Sequence, residues 1–281
     1  LMIFKSTYNE LIKIAYKPRS YIGIGGIVII IAIILFALKV DGTFYLSLIT
    51  GQFEQSLIFE GTILNGNLIA YIIIQMLIIH VPLLIAFVTG DLISGESAMG
   101  TIRLLLTKPV SRSSILLSKF LASCIYTLIV VLCLAFMSFV LGKVLFGVGD
   151  LMVLKSDGLI IFQQNDITWR FVYAFSIAFL SLVTVATLAL TLSCFSENSI
   201  GPIVSTMGII LLFTIIGSMD VPVFDHIRPF LFTTHMAAWR YFFDDPLNSS
   251  SIIYSIVILV AHIVVLLSIA FYKFNTKDIL S

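Results

Sequence analysis

Two groups of residues in this chain have types that could do chemistry. Asp225, His226, His235, Asp244 and Asp245 fall within 21 residues. Imidazole and carboxylate groups brought together can hold a divalent metal, or act as acid and base in a membrane hydrolase. Their spacing matches no metal-binding motif. The second group is the stretch from Asp91 to Lys119, DLISGESAMGTIRLLLTKPVSRSSILLSK, the longest charge-bearing interruption between apolar runs on one side of the chain. Charges of both signs between glycine and proline breaks are what a soluble partner could grip. Outside these groups, His80 and His262 sit within apolar runs, where a lone imidazole usually hydrogen-bonds a neighbouring helix. Cys124, Cys133 and Cys194 lack the spacing of a metal site and read as packing residues.

The elements that must position these residues follow from composition. The chain is 281 residues long, 59% hydrophobic and 11% charged, with a mean hydropathy of +1.12, which places it outside the soluble class. We read it as an all-α integral membrane protein. Six uncharged apolar stretches predict spans at 20–38, 68–89, 120–142, 171–195, 201–218 and 250–272. Residues 3–17 place Phe4, Tyr8, Leu11, Ile12 and Ala15 at helical spacing, the pattern of an amphipathic helix lying in the interface, and Pro18 ends it. No small-residue cleavage site follows the first apolar run, so the first span is expected to remain. Pro82 predicts a kink in the second span. The turn Ser156-Asp157-Gly158 between LMVLK and LIIFQQ predicts a short hairpin, and residues 219–248 predict short helices packed on protein.

Six spans put both termini on one side. With that side inward, the inner segments hold ten of the sixteen Lys and Arg residues and five of the fifteen acids. The positive-inside bias therefore makes both termini and the 91–119 loop cytoplasmic, in a cell (inner) membrane. A formal charge of +1 offers no clustered basic face for nucleic acid. No Asp, Glu, Lys or Arg lies inside the assigned spans, which argues against an ion-coupled transporter. Nothing resembles GxxxxGK[ST], so nucleotide binding through a P-loop is not expected here.

Within the central stretch, Gly95 and Gly100 are expected to interrupt the extension of the second span. Met99, Ile102, Leu105 and Leu106 fall on one stripe, and Pro109 ends that short helix. Ser111 is placed to cap the next, whose first turns carry Arg112 and Lys119. This pattern, Gly95-Glu96, Gly100-Thr101, Leu105-Leu106, Pro109, Ser111-Arg112 and Lys119, resembles the cytoplasmic loop of the six-span permease subunits of type-two ATP-binding cassette exporters. The interfacial helix, the six spans and an irregular segment between spans five and six extend the resemblance in outline over residues 1–281 as a single transmembrane domain.

The resemblance implies that the 91–119 loop is a coupling helix seated in a cleft of an ATP-hydrolysing subunit. Gly95, Glu96, Gly100, Thr101, Ile102, Arg103, Leu105, Leu106, Pro109, Ser111 and Arg112 would then contact that subunit. It further implies that ATP and Mg belong to two partner ATPase subunits, that this chain holds no cofactor and no metal, and that it pairs with a second permease copy or relative in membrane lipid. An extracytoplasmic accessory protein could dock on the outer segments. Permeases of this kind serve cargoes from peptide antibiotics and drugs to lipids, polysaccharides and ions. On this reading Glu96→Ala or Arg112→Ala uncouples hydrolysis from transport in a folded protein. Two other classes stay open: an integral membrane enzyme acting on a lipid-linked or peptide substrate through the outer Asp and His residues, and a non-transporting anchor for an assembly.

Overall fold

The computed structural model describes residues 2–50, 63–77, 80–102, 110–155 and 158–277 of the chain. Among the described residues the regular structure is helical apart from one hairpin, and six helical stretches are long and apolar enough to cross a membrane. The amphipathic segment forms α1, Met2–Tyr16. The first span is part of α2, Pro18–Thr50, which kinks at Asp41, where φ is −138°. Proline at the first helical position costs no hydrogen bond, so Pro18 can end α1 and open α2 at once. Ser20 stitches this elbow by donating its hydroxyl to the Ile14 carbonyl at 2.7 Å.

The second span is divided. α3, Gly66–Leu77, is followed by α4, Val81–Thr89, with Pro82 in its first turn. The discontinuity thus lies on the N-terminal side of Pro82, as expected of a residue that lacks an N–H and crowds the preceding turn. His80 stands at this break and bonds the Met76 carbonyl of its own helix at 2.9 Å. After a one-residue break in the helical ladder at Gly90, whose φ of −63° and ψ of −23° stay helical, α5, Asp91–Ala98, prolongs α4. Gly95 is therefore inside a helix, and the interruption falls at Gly100, whose φ of +68° favours glycine.

Arg112–Phe146 makes the third span as α6, Arg112–Ala135, a π-helical turn over Phe136–Val140, and α7, Leu141–Phe146. Strands β1, Leu151–Lys155, and β2, Gly158–Phe162, pair antiparallel, with Leu151 opposite Phe162 and Lys155 opposite Gly158, as the hairpin reading predicts. α8, Gln164–Phe195, is the fourth span, and four residues separate it from α9, Ile200–Ser218, the antiparallel fifth. Residues 219–248 hold 3-10 helices of three to six residues and the four-residue α10, Phe232–His235. α11, Ser249–Thr276, is the sixth span, and its first turn is capped by Asn248, which accepts from Ser251 N–H.

The bundle is built around α8. It packs on α4, α5, α6, α9 and α11, and 72% of its apolar stretch is buried, as is that of the α4–α5 segment, against 17% for α9 and for α11, which present their apolar sides outward. α3 and the third span cross where Gly66 meets Gly142 and Lys143 backbone to backbone; a Cβ on Gly66 would lie 2.4 Å from Lys143 Cα. Glycine at this crossing lets two spans touch directly. Beyond it, Tyr71, Phe162, Phe171, Trp239 and Phe243 pack edge to face beneath the hairpin. Arg170 locks this distal end by bonding Asp166 at 2.7 Å and the Phe242 carbonyl at 2.6 Å.

Candidate functional site

α1, α5, the start of α6 and the end of α11 lie at one end of the bundle, the terminal end, where the charges of the central stretch meet those of α1. Glu10 and Lys13 lie three residues apart on one face of α1. Glu10 is 3% exposed and Glu96, in α5, is 6% exposed; Lys119, in α6, has no exposed surface at all. The Lys119 ammonium donates to Glu10 Oε2 at 2.8 Å and to the Leu92 carbonyl at 2.9 Å, and pairs with Glu96 Oε2 at 2.8 Å. The Lys13 ammonium bridges the remaining oxygens, Glu10 Oε1 at 2.7 Å and Glu96 Oε1 at 2.8 Å.

The result is a closed ring of alternating charge, Lys119–Glu10–Lys13–Glu96, that joins three elements and is neutral as a whole. Burial alone would lower the Lys13 pKa, but its bonds to Glu10 and Glu96 outweigh that and hold it above the ordinary lysine value. Lys119 spends hydrogen bonds on Glu10 and the Leu92 carbonyl and holds Glu96 Oε2 by charge at 2.8 Å. Buried charges survive only when paired and hydrogen-bonded in this way.

A second pairing lies one turn earlier on α5. Asp91, in the first turn, takes Lys17 Nζ at 2.7 Å and Arg19 Nη1 at 2.8 Å from the α1–α2 elbow. Gly95 makes room for the carboxylate: a Cβ there would sit 2.3 Å from Asp91 Oδ1. Beside these residues opens a cleft of about 310 Å³ lined by Lys17, Arg19, Asp91, Met99 and Ser199.

The loop residues singled out from the sequence thus have different places. Gly95 and Glu96 face inward. Met99 is 63% exposed, Gly100 and Thr101 are exposed, and Ile102 turns back into the core. Arg103, Leu105, Leu106 and Pro109 lie outside the described residues. Ser111 caps α6 by accepting from Ser114 N–H. Arg112 donates to the Asn275 carbonyl at 3.1 Å and the Lys277 carbonyl at 2.9 Å, closing the end of α11. Truncating Glu96 or Arg112 therefore removes intramolecular ties as well as any docking contact, and the exposed Met99–Thr101 turn is the cleaner probe of a partner.

Sequence reading misses Glu10, Lys13 and Lys119 as one site. The signal is there in part: Glu10 is the sole acid before Asp41, on a helix otherwise basic. The outward face of α1 is the apolar one, as a helix lying in the interface requires. Phe4, Tyr8 and Tyr16 point outward at 79%, 65% and 84% exposure, while Thr7, Glu10 and Ile14 face the bundle. Lys119 and Arg170, which border the assigned spans 120–142 and 171–195, lie buried inside α6 and α8, so these two helices extend past the apolar runs with those charges paired.

At the distal end, the Asp and His residues do not converge. Asp225 pairs with Arg228 at 3.1 Å and Asp244 with Lys155. His235 is buried between Ser255 Oγ and the Pro229 carbonyl, each at 2.9 Å. Among the described residues no three His, Cys, Asp or Glu side chains gather as a metal site would require. The hydroxyls of α8 serve packing: Ser181, Thr184, Thr187 and Thr191 each bond the carbonyl four residues back.

Residues 9–279 match the family described as ABC-2 family transporter protein. The chain belongs to that family. It is also 26% identical over 198 residues to a protein of Bacillus subtilis (strain 168) described as uncharacterized protein YhcI, a match that covers 68% of this chain and 62% of YhcI. The chain thus aligns with somewhat under two thirds of that curated relative's length.

Proposed function

We propose that this chain is the membrane permease of an ABC transporter, lining the translocation path together with a second permease copy or relative and driven by two ATPase subunits that hold the ATP and Mg. Family membership and the six spans support the permease reading, and the Lys and Arg bias supports a cytoplasmic terminal end. The observation that carries the coupling role is the ring of Lys119, Glu10, Lys13 and Glu96. It makes α5 one body with α1 and the start of α6, so a force applied at Met99–Thr101 moves three membrane elements together rather than bending a loop. The cleft beside Met99, with two cations around one carboxylate, offers the ATPase a polar foothold next to an apolar one.

The test is purification in mild detergent from the native host, with mass spectrometry and an ATPase assay, on the parent chain and on a Met99→Asp/Thr101→Asp variant. An ATPase that co-purifies with the parent and is lost from the variant, at an unchanged thermal midpoint, is the expected result. A chain that purifies alone and turns over a lipid-linked or peptide substrate by itself overturns the permease reading in favour of a membrane enzyme.

A further inference from the structure

The break between α4 and α5 is held by a side chain from another span. Ser193, one turn from the end of α8 and fully buried, donates its hydroxyl proton to the Gly90 carbonyl at 2.6 Å. Ser193 Oγ in turn accepts the N–H of Ser94 at 2.8 Å and of Ile93 at 3.2 Å. A hydroxyl has one donor and two acceptor sites, and all three are spent here. In an uninterrupted helix the Ser94 N–H would bond the Gly90 carbonyl directly, four residues back. Ser193 therefore stands inside the hydrogen-bond ladder of its neighbour, a recognised cause of a helix bend. The surroundings are built for it. Gly90 packs so closely on α9 that a Cβ would lie 3.2 Å from Ile203 Cγ1, and the Ser94 hydroxyl gives the Gly90 carbonyl a further bond at 2.7 Å.

We infer that Ser193 is a positioning residue, the latch of a two-state hinge at Gly90 through which movement of α5 is passed to α8. With the hydroxyl inserted, the ladder is broken at Gly90 and α5 is tied to α8. With it withdrawn, the Ser94 N–H returns to the Gly90 carbonyl, α4 and α5 run on as one helix, and α8 is released. In the withdrawn arrangement the Ile93 N–H returns to the Thr89 carbonyl as the Ser94 N–H returns to Gly90, and the Ser193 hydroxyl turns to the Ala189 carbonyl of its own helix, so each buried donor keeps a partner and Ser193 Oγ gives up the two bonds it accepts. The ion ring fixes α5 to α1 and α6, so the hinge is the joint at which that body moves against α8. The inference rests on the proposed permease role for what drives the hinge, but the hinge itself is testable on this chain alone.

The experiment uses spin labels on Met99→Cys and Tyr272→Cys, both highly exposed, in a chain whose three native cysteines are replaced, reconstituted in lipid nanodiscs. Distance distributions are compared for Ser193, Ser193→Ala and Ser193→Thr. Each hydrogen bond is worth about two- to tenfold in population, so losing the hydroxyl should deplete the latched state by at least about tenfold. Ser193→Ala is expected to show a displaced distance peak while Ser193→Thr, which keeps a hydroxyl, retains the parent one. In the assembly with the ATPase, Ser193→Ala should hydrolyse ATP with at least about tenfold less transport per turnover, by the same population argument. An unchanged distance distribution in Ser193→Ala, whatever its thermal midpoint, makes Ser193 a packing residue and overturns the latch. Failure of any ATPase to associate refutes the permease role instead, and the hinge then stands or falls on the distance distributions of the chain alone.

Discussion

Replacing Lys119 with Met should be among the most damaging single changes in this chain, and its cost can be worked from the ring. Methionine has a similar length and suits an apolar site, so cavity terms are small. What remains is the charge. Glu10 and Glu96 stay buried at 3% and 6% exposure, but face each other with a single cation, Lys13, whose side chain is 43% exposed. The Leu92 carbonyl also loses its donor. Breaking a buried pair by removing one partner costs about 3–5 kcal/mol, because the other charge is left uncompensated. At roughly 2–4 °C per kcal/mol for a chain of this size, the thermal midpoint should fall by ~6–20 °C. Lys119→Met combined with Glu96→Gln leaves Glu10 and Lys13 as a neutral pair and should recover at least half of the loss. The assay is thermal unfolding in nanodiscs with a thiol-reactive fluorophore, for which Cys194, at 0% exposure, is the buried reporter. A single variant within about 1 kcal/mol of the parent, or a double variant melting at the sum of the two singles, would refute a coupled ring.

Three further outcomes follow from the same geometry. Gly66→Ala places a methyl 2.4 Å from Lys143 Cα and N, atoms of a packed backbone that cannot swing aside, so α3 should be displaced with a loss of at least about 1–3 kcal/mol in chemical denaturation. Gly95→Ala forces a methyl against Asp91 Oδ1 and should cost ~1–3 kcal/mol, while Asp91→Ala in the same chain relieves the clash and should leave the pair less destabilised than the sum of its singles. The Lys13 pKa is raised above 10.5 in the folded protein, so its contribution is complete below pH 10.5 and is lost as pH climbs through the folded value. The thermal midpoint of the parent should accordingly fall on the alkaline side of 10.5, and Lys13→Gln should lack that part of the fall; an identical alkaline limb in both would count against the bridge.

How much of this could be read from the residues depends on the range of the forces involved. The six spans followed from runs of uncharged apolar residues long enough to cross a bilayer, and a run needs no knowledge of its neighbours. Ser111 as a cap and the Ser156-Asp157-Gly158 hairpin signal were readable for the same reason: capping and turn chemistry act within four residues. The division of the second span was only half legible. Pro82 announced a break, but nothing local announced that α5 would continue α4 past Asp91 as a helix with Gly95 inside it. Gly95 reads as a helix breaker until Asp91 is seen to need the space where its Cβ would be.

By itself, then, the sequence determined the membrane class and the number and order of the apolar helices long enough to cross a membrane. Tertiary structure alone decided which charges meet. Glu10 and Lys119 are 109 positions apart, and Ser193 and Gly90 are 103 apart. Nothing in the local pattern of α1, α5, α6 or α8 distinguishes a lysine or serine that faces water from one that is buried on a partner. A buried charge is stable only if its partners arrive with the right geometry, and that depends on how the helices pack. The apolar runs fix the helices, and the packing of those helices brings Lys119, Glu10, Lys13 and Glu96 into one neutral ring.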